Sequence, residues 1–148
     1  MRARDLVSTC RVVGLDTPAI EAARLLAADD LPGLVVVDQQ GQPTKVLAGT
    51  QVLRLGVPGY IQDDPTLARV VDEASADVFL RELGYRTVEQ CLPEPPRPLA
   101  VVAPEATVLE VAALMASTRT PLVAVVDREI GLLGAVTLAT LMDRIVAP

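Results

Sequence analysis

Residues 101–127 read VVAPEATVLEVAALMASTRTPLVAVVD, and residues 12–38 read VVGLDTPAIEAARLLAADDLPGLVVVD. A shift of 89 positions lays one over the other without a gap, and ten of the 27 pairs are identical, among them Val12/Val101, Glu21/Glu110, Leu25/Leu114, Pro32/Pro121 and Asp38/Asp127. Ile20/Leu109 and Leu26/Met115 keep apolar character. A duplicated unit of about 55–60 residues buries too little core to stand alone, so the two copies are expected to pack together. Related by a pseudo-twofold axis, they would leave paired clefts at their junction.

Each copy predicts strand, helix, strand, strand, helix. In the first, Cys10–Leu15 is a β-prone run, and Thr17-Pro18 reads as an N-cap followed by proline at the first helical position. Leu34–Val37 is apolar throughout, as in a strand covered on both faces. Val46–Ala48 forms a further strand, and Thr50–Leu55 begins another helix. In the second copy, Leu99–Val102 is the first strand and Thr107-x-x-Glu110 a capping box. Leu122–Val126 and Leu132–Val136 are the paired strands, and Thr137 caps a closing helix over Leu138–Val146.

The expected organisation is a first repeat over 1–55, a helical connector over 56–87 and a second repeat over 88–148. Within the connector, Gly56, Pro58 and Gly59 should break the preceding helix. Asp64-Pro65 should start one helix, with Leu67, Val70, Val71 and Ala74 inward, and Asp77 a second, Val78–Leu83, closed by Gly84. The connector either packs over the core or offers a docking surface. The prolines of Pro93-Glu94-Pro95-Pro96-Arg97-Pro98 predict a stiff, extended approach to the second repeat.

Composition narrows the function. Of 148 residues 51% are apolar and only three are aromatic, so the core is built from Val, Leu, Ala and Ile, and stacking platforms for single-stranded nucleic acid are missing. The net charge of −6 opposes attraction to phosphate backbones, so nucleic acid is not an expected partner. The chain has no histidine, the commonest general base and transition-metal ligand. No GxxxxGK loop, GxSxG elbow or metal-ligand cluster occurs, and the expectation is a protein that is not an enzyme. Cys10 and Cys91 are read as reduced thiols. With no apolar leader and no stretch of the ~18–20 residues that a spanning helix needs, the expected protein is cytoplasmic and not inserted in a membrane.

The ordered set Arg4-Asp5-Leu6-Val7, Val88–Leu92, Pro104–Met115, Thr120–Asp127 and Gly134–Thr137, matched by Asp16–Leu26, Leu31–Asp38 and Val46–Thr50, resembles a pair of cystathionine β-synthase (CBS) domains, the Bateman module. The resemblance covers nearly the whole chain and implies an α/β fold of two β-α-β-β-α repeats. It also implies a regulatory module that binds AMP, ADP, ATP, S-adenosylmethionine or cyclic dinucleotides in its two inter-repeat clefts. Such modules often dimerise into a flat disc and control an enzyme, channel or transporter. Many members carry Thr or Ser at the end of the last strand and Asp or Asn three residues later, and the carboxylate accepts from the ribose diol.

This chain departs from that pattern. The second repeat has Thr137 but Thr140 in place of the acid, a loss of roughly 1–2 kcal/mol relative to a charged acceptor. With Thr50 aligned on Thr137, the acid position of the first repeat falls on Leu53, which accepts nothing. The first cleft then reads as degenerate. The second is expected to hold any ligand with Thr137, Thr140, the edge Thr120-Pro121-Leu122 and the strand Ala100–Val102. Arg119, where the first repeat has Asp30, is either a phosphate partner or a solvated cation at a helix end. Two readings follow: a homodimeric sensor of an adenosyl ligand acting in trans on an enzyme or transporter, or a ligand-free dimerisation module. Val52, Leu55, Leu138, Leu141 and Met142 of the closing helices are candidates for the dimer contact or for the core.

Overall fold

A computed structural model describes residues 1–57, 59–70, 73–93, 95 and 99–147. The first repeat contains β1 (Val12–Val13), α2 (Ala19–Ala28), β2 (Gly33–Val37), β3 (Pro43–Ala48) and α3 (Gly49–Gly56), preceded by a short helix α1 (Ala3–Leu6). The connector holds α4 (Gly59–Asp63), a 3₁₀ segment (Pro65–Val70) and α5 (Glu73–Tyr85). There follow α6 (Val88–Cys91), β4 (Val101–Val102), α7 (Val108–Thr118), β5 (Leu122–Asp127), β6 (Gly131–Thr137) and α8 (Leu138–Val146).

Each repeat forms a three-stranded sheet, in which the first strand runs parallel to the second and the second antiparallel to the third. The 89-residue shift holds through both hairpins. Gly33 pairs with Ala48 as Leu122 pairs with Thr137, Val36 with Lys45 as Val125 with Gly134, and each register slips at the following residue. The middle strands are apolar on both faces because each face meets a different layer. Leu34 and Val36 point to the helices of their own repeat, whereas Val35 packs with Leu122 and Ala135 between the repeats.

The lead-in helices are exchanged. Ala3 and Leu6 of α1 are buried in the core of the second repeat, where Ala3 N donates to the Ala106 carbonyl at 2.7 Å and Ser8 pairs with Ala135. Val88 and Cys91 of α6 are buried in the core of the first, where Val88 N donates to the Thr17 carbonyl at 2.9 Å. Each core is thus completed by the segment that leads into the other repeat.

Several local expectations change. Thr17 does not cap α2: its Oγ1 accepts from Gly14 N at 2.9 Å, Pro18 takes the N-cap position, and the first helical N–H, of Ala19, donates to the Arg86 carbonyl. The connector does not form two helices broken at Asp77. The Asp64-Pro65 start gives the 3₁₀ turn, with Asp64 Oδ1 accepting from Thr66 Oγ1 at 2.6 Å, and α5 runs unbroken through Asp77 and Gly84. Burial of Leu83 against the first repeat's helices outweighs these local breakers. The expected Val71 contact, and Pro58, Glu94 and Pro96–Pro98, lie outside the described residues, as do the side chains of Val70 and Ala74. Thr107 and Thr137 cap α7 and α8 as expected. Val52 and Leu141 belong to the core, while Leu138 and Met142 are about half exposed.

Candidate functional site

A cavity of about 940 Å³ lies between the repeats. The first repeat contributes the β3–α3 junction, from Ala48 to Arg54, and the apolar side of α2 at Ala23, Leu26 and Ala27. The second contributes Thr118–Pro121, the turn that closes α7, together with Ala100. A smaller cavity, about 560 Å³, repeats the arrangement with the roles exchanged: Thr137, Leu138 and Ala139 face Asp29–Pro32, with Ser8 at the side. Leu31, Pro32 and Pro121 border both.

These cavities divide the residues expected to act together. Arg119, Thr120 and Ala100 line the larger cavity with Thr50, whereas Thr137 lines the smaller one; only Pro121 reaches both. Thr140 lines neither. Its amide and hydroxyl both bond Thr137 Oγ1, at 3.2 and 3.0 Å. Leu122 is buried between the repeats, and Val102 packs against the second repeat's helix layer.

The alignment of Thr50 with Thr137 is also corrected. Strand pairing puts Ala48 in register with Thr137, so Thr50 corresponds to Ala139, Gln51 to Thr140 and Leu53 to Met142. Thr50 nonetheless lines the larger cavity. Gln51 Oε1 accepts from Ala48 N at 2.8 Å and so closes the first turn of α3. Arg54 and Gln51 were not among the expected residues, and carrying the ungapped 89-residue shift through the hairpin would have pointed to Gln51.

Charge distinguishes the two cavities. Arg54 and Arg119 reach the larger one from opposite repeats, and among the described residues no carboxylate lines it. The N-terminus of α3 opens on it as well, adding the positive end of a helix dipole. The smaller one is bordered by Asp29 and Asp30, with no cation among its described lining residues. Asp29 is held by Arg11, Nε to Oδ2 2.8 Å. Arg119 and Asp30 both adopt left-handed backbone, φ 55° and 49°. A tight helix-to-strand reversal thus places a charged residue at the border of each cavity, Arg119 at the larger and Asp30 at the smaller.

Among the described residues no cluster of His, Cys, Asp and Glu could hold a metal ion, and no helix is long and apolar enough to cross a membrane. Burial pushes the Cys91 thiol up to about 11 and raises that of Cys10, so neither is poised as a nucleophile.

A profile of the CBS domain matches residues 92–147. No curated protein matches the chain. Among solved structures, a CBS-domain-containing protein of unknown function from Kribbella flavida DSM 17836 is 48% identical, with 99% of each chain covered and a TM-score of 0.83. The CBS-pair protein CBSX2 from Arabidopsis thaliana is 19% identical over 97% of this chain and 93% of its own, TM-score 0.73. The structure of CBSX2 in complex with AMP is similar at TM-score 0.67, with 20% identity over 97% and 95% of the two chains. With its repeats, exchanged lead-ins and paired clefts on view, the chain belongs to the CBS-domain family and folds as a CBS pair.

Proposed function

We propose that this CBS pair is a regulatory module that senses an adenine nucleotide in the larger inter-repeat cleft and acts in trans on a partner protein. The observation that carries this reading is the convergence of Arg54 and Arg119 from opposite repeats on one cavity of about 940 Å³. That volume falls in the range of roughly 300–1,000 Å³ typical of small-molecule sites. Two guanidinium groups and a helix N-terminus suit phosphate oxygens. The apolar side of α2, at Ala23, Leu26 and Ala27, suits the base. The same charges favour AMP, ADP or ATP over S-adenosylmethionine, whose sulfonium is cationic. A ligand spanning both repeats would bias their packing, which is the means by which binding could be relayed to a partner. The AMP complex of CBSX2 lends the reading support at the level of the fold.

Thermal unfolding in the presence of AMP, ADP, ATP and S-adenosylmethionine tests it. Ligand at ~100 times its Kd adds about 2.7 kcal/mol, a shift of several degrees for a domain of this size. The shift should be lost in Arg119→Ala and retained in Thr137→Ala. A flat series for all four ligands would favour the second reading, a ligand-free dimerisation module. The mutual hydrogen bond of Thr137 and Thr140 speaks for that reading in the smaller cleft.

A further inference from the structure

The second repeat borders two separate spaces. A groove of about 420 Å³ runs between α7 and α8, with Ala112, Met115 and Ala116 on one side and Leu141 and Met142 on the other. The smaller cleft, about 560 Å³, lies at Thr137–Ala139. Leu138 borders both. In the first repeat the residues in register line one continuous space. Ala23, Leu26, Ala27, Val52 and Leu53 are the counterparts of the groove, and Ala48–Thr50 are those of Thr137–Ala139; all belong to the cavity of about 940 Å³. The residue standing where Leu138 does is Gly49. Pro121 also borders both smaller spaces, but its counterpart Pro32 is again proline and makes no difference between the repeats. One side chain therefore divides cleft from groove in the second repeat, and its absence joins them in the first.

The backbone does not call for glycine there. The φ of Gly49 lies outside the left-handed region, and a Cβ would stand 4.0 Å from both Leu26 Cδ1 and the Pro32 carbonyl oxygen, in ordinary contact. Glycine loses more conformational freedom on folding than alanine would, so it weakens the start of α3. What it gives in return is space. Leu26 and Pro32 both line the larger cavity, so a longer side chain at position 49 would grow into it. We propose that Gly49 selects the ligands of the larger cleft: it leaves a passage by which the apolar end of an amphipathic anion enters the α2–α3 trough while the anionic end meets Arg119 and Arg54. That the apolar end is an adenine rests on the nucleotide reading; the passage does not. The smaller cleft refuses the same class of ligand twice over, because Leu138 shuts its groove and Asp29 and Asp30 border it.

Two probes test the passage: AMP, followed by calorimetry, and anilinonaphthalene sulfonate, an apolar ring system with one anion, followed by fluorescence. The wild type should bind both, each displacing the other. Gly49→Leu should weaken both by about tenfold or more, as filling an apolar pocket does, and should melt no lower than the wild type. Gly49→Ala should keep binding within about threefold and melt at least as high. If Gly49→Leu fails to fold, Gly49→Cys takes its place, bulked after folding with benzyl methanethiosulfonate; the wild type treated alike is the control. A wild type that does not bind the dye overturns the proposal. So does undiminished binding of either bound probe in Gly49→Leu or in the bulked Gly49→Cys. A wild type that binds the dye, loses it in Gly49→Leu and ignores AMP supports the passage and overturns the nucleotide reading alone.

Discussion

Asp30 and Arg119 occupy the same place in the repeat, 89 residues apart, with the same left-handed backbone and opposite charge. Each stands over the mouth of a different cleft, so one local reversal gives one cleft a cation and the other an anion. A non-glycine residue in this region costs on the order of 1 kcal/mol, sustained by the surrounding fold. Glycine should relieve that strain at either position. Asp30→Gly and Arg119→Gly are expected to hold or raise Tm by roughly 2–4 °C in thermal melts. Only Arg119→Gly should weaken nucleotide binding by calorimetry; equal weakening in both would detach the effect from the guanidinium.

Sugar recognition should be poor. No carboxylate lines the larger cleft among the described residues, and Gln51 Oε1 is engaged by Ala48 N. AMP and 2′-deoxy-AMP should therefore bind with Kd values within about threefold, since no charged acceptor grips the diol. A preference for ribose above about tenfold, measured by calorimetry, would mean that an acceptor outside this set reaches the ligand.

The seam between the N-terminal lead-in and the second repeat should be intolerant of added volume. At Gly134 a Cβ would press on the Ser8 carbonyl oxygen and stand 2.8 Å from Val7 Cγ2. Gly134→Ala should cost about 2–4 kcal/mol in urea unfolding, because backbone must move to admit it. A loss below about 0.5 kcal/mol would show that the lead-in yields freely there.

The exchanged lead-ins make distant residues part of each core. Leu6 is 3% exposed within the second repeat's cluster, although it lies more than 90 residues from most of that cluster's members. Leu6→Ala should destabilise by about 2–4 kcal/mol and should do so in a single cooperative transition. A near-neutral change would remove α1 from the core.

Cys91 gives the protein an alkaline limit. Burial raises its thiol from the ordinary value near 9.0 to about 11. The folded state thus keeps a proton that the unfolded chain gives up. This stabilising contribution is complete below about pH 9 and is lost as pH rises toward 11. Stability of the wild type should fall across that window more steeply than that of Cys91→Ala, which titrates nothing there; parallel curves would argue against the shift. In native protein at pH 8, Cys10, half-buried, should react with a disulfide reagent before Cys91.

Much of the fold was legible in the residues. The Thr107–Glu110 box and the Thr137 cap were readable because capping is decided within four residues. The doubly apolar strands Leu34–Val37 and Leu122–Val126 announced cover on both faces. Asp77 and Gly84 misled because their local preferences are worth less than the burial of Leu83, which depends on helices of the first repeat. The offset at Thr50 came from breaking a register that the hairpin pairing keeps.

The sequence by itself determined the duplication and the strand-helix-strand-strand-helix order within each repeat, since spacing, caps and alternation act over short stretches of chain. Only the tertiary structure decided which residues share a cleft. Arg119 and Thr137 lie in one repeat and at one end of one sheet, yet they face different cavities. Packing of Val35 on Leu122 and Ala135 turns the repeats so that the helix end of each meets the strand-to-helix junction of the other. In the sequence those three residues are ordinary apolar strand positions. The direction in which they dock is set by the summed burial of two complete repeats, and no short stretch of chain contains that sum.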